Sequence, residues 1–442
     1  MCGFIAGKGI QNDLSEAIEG MSHRGLPGFK GYRELGEYQF AHYSLPFTNL
    51  DPDVAIQPVM PTNGIPCLFV GEIFNWKNIT KESYKAKSDG HFISEYYLDH
   101  GLQGFHKFDG FWSFVTLKEH DLIGVTDFLG IKPIYYRTDM EVLASEIDVL
   151  ADLADVTVNE LFMSNTAKWG YDPTGGTPWN EIKQVPPGHY YFRGEVHQYW
   201  DWNKIQTTSL YEDLKESVEL RLGGEREVSV LLSGGLDSSI IYRLIEECGY
   251  DVKAIHVENH EKDYASLLSD NLIEVSLDEV GDRESIFIHQ SPVDLGSVKP
   301  QIAMARKLKE LGFHAVMTGD GADELFGGYR RAKEYDSQYS DVFCELPFYH
   351  LPKLDRTMMD STIELRAPFL SPKVIRHALD LPYENRNGEK KELKKVFGHL
   401  VPDPILNREK LPLKTDAIRE DPIQQRMKNI RLWEEIYLDY DE

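Results

Sequence analysis

The segment VSVLLSGGLDSSII, residues 228–241, joins three signals within fourteen positions. An apolar run predicts a buried strand, Ser233-Gly234-Gly235 a tight turn, and the residues from Leu236 onward a helix. A strand that ends at a glycine turn opening a helix aims consecutive backbone N–H groups into one concavity, and that geometry binds anions. The glycines admit close backbone approach. Ser233, Ser238 and Ser239 offer hydroxyls, and Asp237 adds a carboxylate suited to Mg²⁺. The spacing does not fit G-x-x-x-x-G-K-[ST], which disfavours a Walker-type nucleotide loop.

Outward from this loop, helix and strand patterns alternate. SLYEDLKESVELRL (209–222) and VKPQIAMARKLKELG (298–312) read as helices, VKAIHVE (252–258) and HAVMTG (314–319) as strands. Alternation of this kind predicts an α/β domain, a parallel sheet covered by helices. The segment MTGDGADELFGGY (317–329) then places Asp320, Asp323 and Glu324 among four glycines directly after a strand, where open α/β sheets put ligands. Asp237 and Asp323 are the metal-ligand candidates. The last hundred residues read as mostly helical with proline breaks.

The first 150 residues have another character. EYQFAHY (37–43), PCLFVGEIF (66–74), FWSFVTL (111–117), LIGVTD (122–127) and PIYYRT (133–138) read as strands, with helical pattern confined to DLSEAIEGM (13–21) and HFISEYYLDH (91–100). The expectation is an α+β domain of antiparallel sheets packed with helices. GYDPTGGTPW (170–179) and QVPPGHYYFRG (184–194) mark loops and a hairpin leading to a boundary near 205. Two domains, residues 1–205 and 206–442, are expected, each with its own core, since 442 residues exceed a single core's usual limit of roughly 250 to 300.

Composition narrows the function. A hydrophobic fraction of 41% and a charged fraction of 27% are those of a soluble globular chain. No segment approaches the roughly 18 apolar residues of a membrane span, and no basic-then-apolar leader precedes Cys2, so a cytoplasmic protein is expected. Cys2, Cys67, Cys248 and Cys344 form no C-x-x-C pair, which argues against zinc and a disulfide framework. A formal charge of −25 repels phosphodiester backbones, so no nucleic-acid partner is expected.

Removal of Met1 would leave Cys2 with a thiol and a free α-amine, an amine that titrates near 8 and can serve as base to its own thiol. MCGFIAG, SHRG (22–25), VGEIFN (70–75), KSDG (87–90), FDGFWSF (108–114), DFLGIKPIYY (127–136) and ASEIDVL (144–150) follow in an order that resembles the N-terminal-nucleophile glutamine amidotransferase domain. The SGGLDSS loop resembles the pyrophosphate loop of ATP pyrophosphatases, and 317–329 resembles G-E-G-x-D-E-x-F-G-G-Y. KLDRTMMDSTIELRAPFL (353–370), NGEKKELKKVF (387–397) and NREKLPL (407–413) extend the match. Together these segments resemble the asparagine synthetase family over nearly the whole chain.

The resemblance implies that Cys2 attacks the glutamine amide, with Gly71 as oxyanion donor. It places Asp89 at the substrate α-ammonium, and Arg24, Gly25 and Glu72 in the glutamine pocket. It assigns Leu231, Ser233, Gly234, Gly235, Asp237, Ser238, Ser239, Thr318, Gly319 and Arg366 to ATP, Asp320 to the incoming amine and Lys390 to catalysis, with Lys391 one residue away. ATP and Mg²⁺ are the implied cofactors; glutamine or ammonia, and aspartate or another carboxylate, are the implied small-molecule partners, and a homodimer is admitted. Ser44 stands where the family has a carboxylate-clamping Arg, Val70 where it has an oxyanion-donating Asn, Asp320 where it has Glu, and Ser371 where it has Asp. The glutaminase half is therefore expected to be impaired. Three alternatives stay open: an amide ligase acting on another carboxylate, a tRNA-modifying ATP pyrophosphatase, and an inactive binding homologue.

Overall fold

The computed structural model describes residues 2–11, 13–223, 228–258, 261–329, 345–382, 389–408 and 421–438. Its first half holds two antiparallel sheets. One runs β2 (Lys30–Leu35), β3 (Tyr38–Tyr43), β1 (Gly3–Lys8), β8 (Val142–Ala144), β7 (Tyr135–Arg137), β9 (Ile182–Gln184). The other runs β11 (Glu195–Gln198), β10 (His189–Phe192), β6 (Asp121–Thr126), β5 (Gly110–Lys118), β4 (Leu68–Ile73). Side chains alternate along β1: Phe4 and Ala6 join the cluster that contains Phe69 and Phe114 of the second sheet, whereas Ile5 belongs to the cluster holding Leu14, Ile18 and Phe162. β1 therefore lies at the centre of its sheet with Cys2 at its buried head.

The second half holds a five-stranded parallel sheet, β14 (Leu272–Val275), β13 (Lys253–Val257), β12 (Val228–Leu231), β15 (Ala315–Met317), β16 (Glu364–Arg366). From β12 the chain lays strands down in one direction and then returns for β15 and β16. The switch point thus lies between β12 and β15, at whose carboxyl ends the SGGLDSS loop and the Thr318–Gly321 turn face each other, the place where doubly wound sheets bind ligands. Where described, the last hundred residues are mostly helical, as expected, and β16 interrupts them: ELR is too short for periodicity to register, and it pairs with the parallel edge of β15. NREKLPL continues from Arg408 outside the described residues, as does Cys344. Among the described residues no helix is long and apolar enough to cross a membrane.

The expectation of two separate cores is corrected. One buried cluster runs from Phe4 and Phe114 through Trp200, Leu214 and Val218 to Val230 and Ile255. Charged contacts join them as well. Asp355 of the helix Leu351–Met359 is fully buried and accepts from Arg24 Nη2 and Lys132 Nζ, both at 2.8 Å. Arg24 Nη1 also donates to Glu146 Oε1 at 2.9 Å, and Lys132 lies 3.5 Å from Glu364. Burial alone would raise the Asp355 carboxyl, but Arg24 and Lys132 prevail and hold it below the usual carboxylate range. Arg221 Nη2 donates to Asp109 at 2.8 Å, its guanidinium lying 4.4 Å from the Phe74 ring centroid.

Removing one member of a buried ion network leaves its partners charged and desolvated, at a cost of about 3 to 5 kcal/mol. Asp355→Ala is therefore expected to lower the unfolding free energy measured in urea by that amount, whereas Asp99→Ala, in the exposed pair with Lys81, leaves it nearly unchanged. Equal small shifts for the two variants would contradict this account of the junction.

Candidate active sites

Cys2 precedes β1, and its Sγ accepts from the Leu45 N–H at 3.3 Å, while its carbonyl accepts from Arg24 Nε at 3.1 Å. Burial pushes the thiol up. Asp89 opens the helix Asp89–His100, with Oδ1 accepting from Thr48 Oγ1 at 2.9 Å and Oδ2 from the Ile73 N–H at 3.2 Å. Burial first, and Glu72 second, push its carboxyl up to about 7. Gly71 sits in β4 at φ +118°, and a Cβ there would lie 1.9 Å from the Phe111 carbonyl oxygen. Only glycine fits that backbone against β5.

Several residues predicted to lie in the pocket are engaged elsewhere. Glu72 gives both carboxylate oxygens to Arg366, at 2.9 Å from Nε and 2.7 Å from Nη2. Arg366 Nη1 donates to the carbonyls of Arg221 and Gly223. Its guanidinium therefore faces the first domain, not the nucleotide loop: Glu364 and Arg366 alternate with Leu365 along β16 and share one face. Its backbone meets the facing Thr318–Gly321 turn, where the Thr318 N–H donates to the Arg366 carbonyl at 3.0 Å. Arg24 is fully buried on Glu146 and Asp355, behind Cys2, whose backbone carbonyl it holds. The Gly25 N–H donates to Ser22, and a Cβ on Gly25 would meet Tyr43 and the Ser44 backbone, so Gly25 serves close packing.

The two departures from the family pattern are also visible. Ser44 is buried with its hydroxyl 2.7 Å from the Ala55 carbonyl and 2.9 Å from His42 Nδ1. Val70 is buried in β4 opposite Ser113. Neither supplies a cation or a side-chain N–H.

In the second site, β12 ends at Leu231 and the helix Leu236–Glu247 begins after Gly235, which caps it without a side-chain bond. Gly234 has φ +74°, and a Cβ on it would approach Ala265 N to 2.9 Å. The Ser233 and Ser238 hydroxyls lie 3.1 Å apart, and Ser239 Oγ donates to the Gly235 carbonyl at 2.6 Å. A Cβ on Gly319 would reach 2.8 Å from that of Asp237, so the two turns nearly touch. Thr318 Oγ1 accepts from the Asp320 N–H at 3.4 Å, and burial pushes the Asp320 carboxyl up.

Lys390 joins the site from 153 residues away, its ammonium bonded to Asp237 Oδ2 and 2.5 Å from Asp323 Oδ1. Burial pulls its pKa down, but the two carboxylates prevail and leave it raised. Lys391 is exposed, which separates the neighbours. A Cβ on Gly328 would collide with Asp323 Oδ1, so that close approach requires glycine. Asp237 and Asp323 come from the first turns of different helices yet converge on the Lys390 ammonium, and oxygen donors so placed fit Mg²⁺.

Asp355, Lys132, Glu146, Glu364 and Arg221 escaped sequence reasoning as site-positioning groups. Each lay within or beside a quoted segment, but its partner lies as far as 331 residues away, and nothing local marks the pairing.

Comparison with known proteins agrees with this anatomy. A glutamine amidotransferase domain model matches residues 1–200, and the asparagine synthase model matches 209–343 and 335–434. The chain is 25% identical over 478 residues to glutamine-hydrolyzing asparagine synthetase 2 of Lotus japonicus, covering 93% of this chain and 77% of that one. It is 26% identical over 441 residues to synthetase 3 of Arabidopsis thaliana, covering 87% and 72%. A probable glutamine-hydrolyzing asparagine synthetase of Acanthamoeba polyphaga mimivirus is 24% identical over 502 residues, covering 99% and 89%. Two antiparallel sheets headed by Cys2, a parallel sheet carrying SGGLDSS at its switch point, and these matches in that order lead to one conclusion: the chain belongs to the asparagine synthase family of carbon–nitrogen ligases.

Proposed function

We propose that the chain forms asparagine from aspartate and ATP, through an acyl-adenylate that releases pyrophosphate and then AMP, and that free ammonia is its better nitrogen donor. The observation that carries the ligase reading is the meeting of Asp237, Asp323 and Lys390 at the SGGLDSS loop. The N–H groups of Gly234 and Gly235, with the Ser233, Ser238 and Ser239 hydroxyls, are suited to the phosphates. Asp237 and Asp323 would hold Mg²⁺, which when bound neutralises phosphate charge. Lys390 supplies fixed positive charge where the aspartate β-carboxylate displaces pyrophosphate from the α-phosphorus. Asp320, its carboxyl pushed up by burial, takes the proton that the attacking amine gives up as AMP leaves.

In the first domain, Cys2 would attack the glutamine amide, Asp89 would hold the α-ammonium and the Gly71 N–H the developing oxyanion. The α-carboxylate lacks a clamp. Ser44 is turned to Ala55 and His42, and Arg24 is buried on Glu146 and Asp355. Val70 removes a side-chain donor from the tetrahedral intermediate, a loss of about 10²- to 10³-fold in turnover at comparable sites.

Asp237→Ala is expected to abolish ATP-dependent, aspartate-stimulated pyrophosphate release while leaving the circular dichroism spectrum unchanged; release at the parental rate would end the pyrophosphate-loop reading. Stimulation by carboxylates other than aspartate alone would move the acceptor and leave the ligase.

The second expectation concerns nitrogen. With Met1 removal verified by mass spectrometry, saturating ammonium at alkaline pH should drive amide formation clearly faster than saturating glutamine, and Cys2→Ala should lower only the glutamine-driven rate. Equal or faster formation with glutamine would show that another group replaces the missing clamp.

A further inference from the structure

A pocket at the domain junction is lined by Tyr135 of β7, Asp172 of the connecting segment, His289 and Ser291, and by Tyr349 and Arg356 beside and on the helix Leu351–Met359. Its polar atoms are unusual for so buried a place. Arg356 is 5% exposed and has no carboxylate within 4 Å among the described residues; its guanidinium donates to Tyr135 Oη at 2.6 Å and to the His289 carbonyl, and its Nε has no partner. Asp148 feels its charge, but no carboxylate among the described residues meets it at hydrogen-bonding distance, and a buried guanidinium without such a partner is costly. The Tyr135 hydroxyl accepts from Arg356 and so keeps its own proton to donate. His289, 6% exposed, has Nδ1 within 2.8 Å of Ser291 Oγ and an unpartnered Nε2; burial, and then Arg356, hold its pKa well below the ordinary value, so the ring is neutral.

Asp172 is the other charge on the lining, and it too has no cation within 4 Å among the described residues. Its oxygens accept from Asn165, Thr174 and Gly176, none of them charged. The cavity volume is about 40 Å³, room for a few water-sized groups. We infer that this pocket binds a small free amino acid, its carboxylate on Arg356 and Tyr135 and its ammonium drawn to the Asp172 charge. None of these residues belongs to either active site. Arg356 directly follows Asp355 of the interdomain ion network, so the ligand would brace the junction, and occupancy would raise the thermal midpoint by mass action.

The test is calorimetric titration of the full chain with glycine, acetate and methylammonium, with and without saturating glutamine. Glycine is expected to bind one site per chain, acetate and methylammonium about tenfold or more weaker, and glutamine to leave the glycine isotherm unchanged. Arg356→Gln should weaken glycine about tenfold or more, and Tyr135→Phe by a smaller factor, with pyrophosphate release unaltered in the second variant. Should Arg356→Gln not fold, Tyr135→Phe decides alone. No glycine binding, acetate as tight as glycine, competition by glutamine, or parental affinity in Tyr135→Phe overturns the inference.

Discussion

Glu72 and Arg366 form the contact on which the relation of the two active sites depends. Glu72 follows Gly71, whose backbone only glycine fits, and contributes to the raised pKa of Asp89, while the Arg366 carbonyl fixes Thr318 in the second site. The paired side chains are fully or nearly fully buried, so the attraction is weakly screened, and a bidentate geometry leaves little freedom to slide. The guanidinium's third nitrogen is held by two backbone carbonyls at the end of the helix Leu210–Leu222. Moving one catalytic strand therefore moves the other.

The same physics operates on Lys390. Two carboxylates brought together without a cation would repel across a desolvated gap, and the lysine ammonium resolves that repulsion. Under the proposed function, Mg²⁺ and phosphates would take over that charge balance with groups of the same signs. The loop glycines matter for a different reason: Gly234, Gly319 and Gly328 bring backbone within distances that any side chain would block.

Much of this was legible in the sequence. The strand–glycine turn–helix of 228–241 and the acidic turn after Met317 are local patterns whose chemistry follows from spacing, and both lie where the sheet's switch point requires. The positive-φ glycine at 71 sits within a quoted segment. What could not be read is the direction of side chains that cross between domains. The resemblance implies Arg366 at ATP and Arg24 in the glutamine pocket, but each side chain answers a carboxylate from the opposite half. β16 was hidden by its three-residue length, and the shared core by contacts between segments far apart in sequence, which leave no local mark.

The buried charges at the junction also limit how the chain can be rearranged. A cut between the matched regions would strip Asp355 from Arg24 and Lys132, Glu72 from Arg366, and Asp109 from Arg221, exposing the apolar faces around Trp200 and Val218 in the same stroke. Neither half is a free-standing cassette. A shuffled partner would have to bring matching signs at all three crossings, so the two catalytic units are bound to change together, and a charge reversal on one side is tolerated only with its complement on the other.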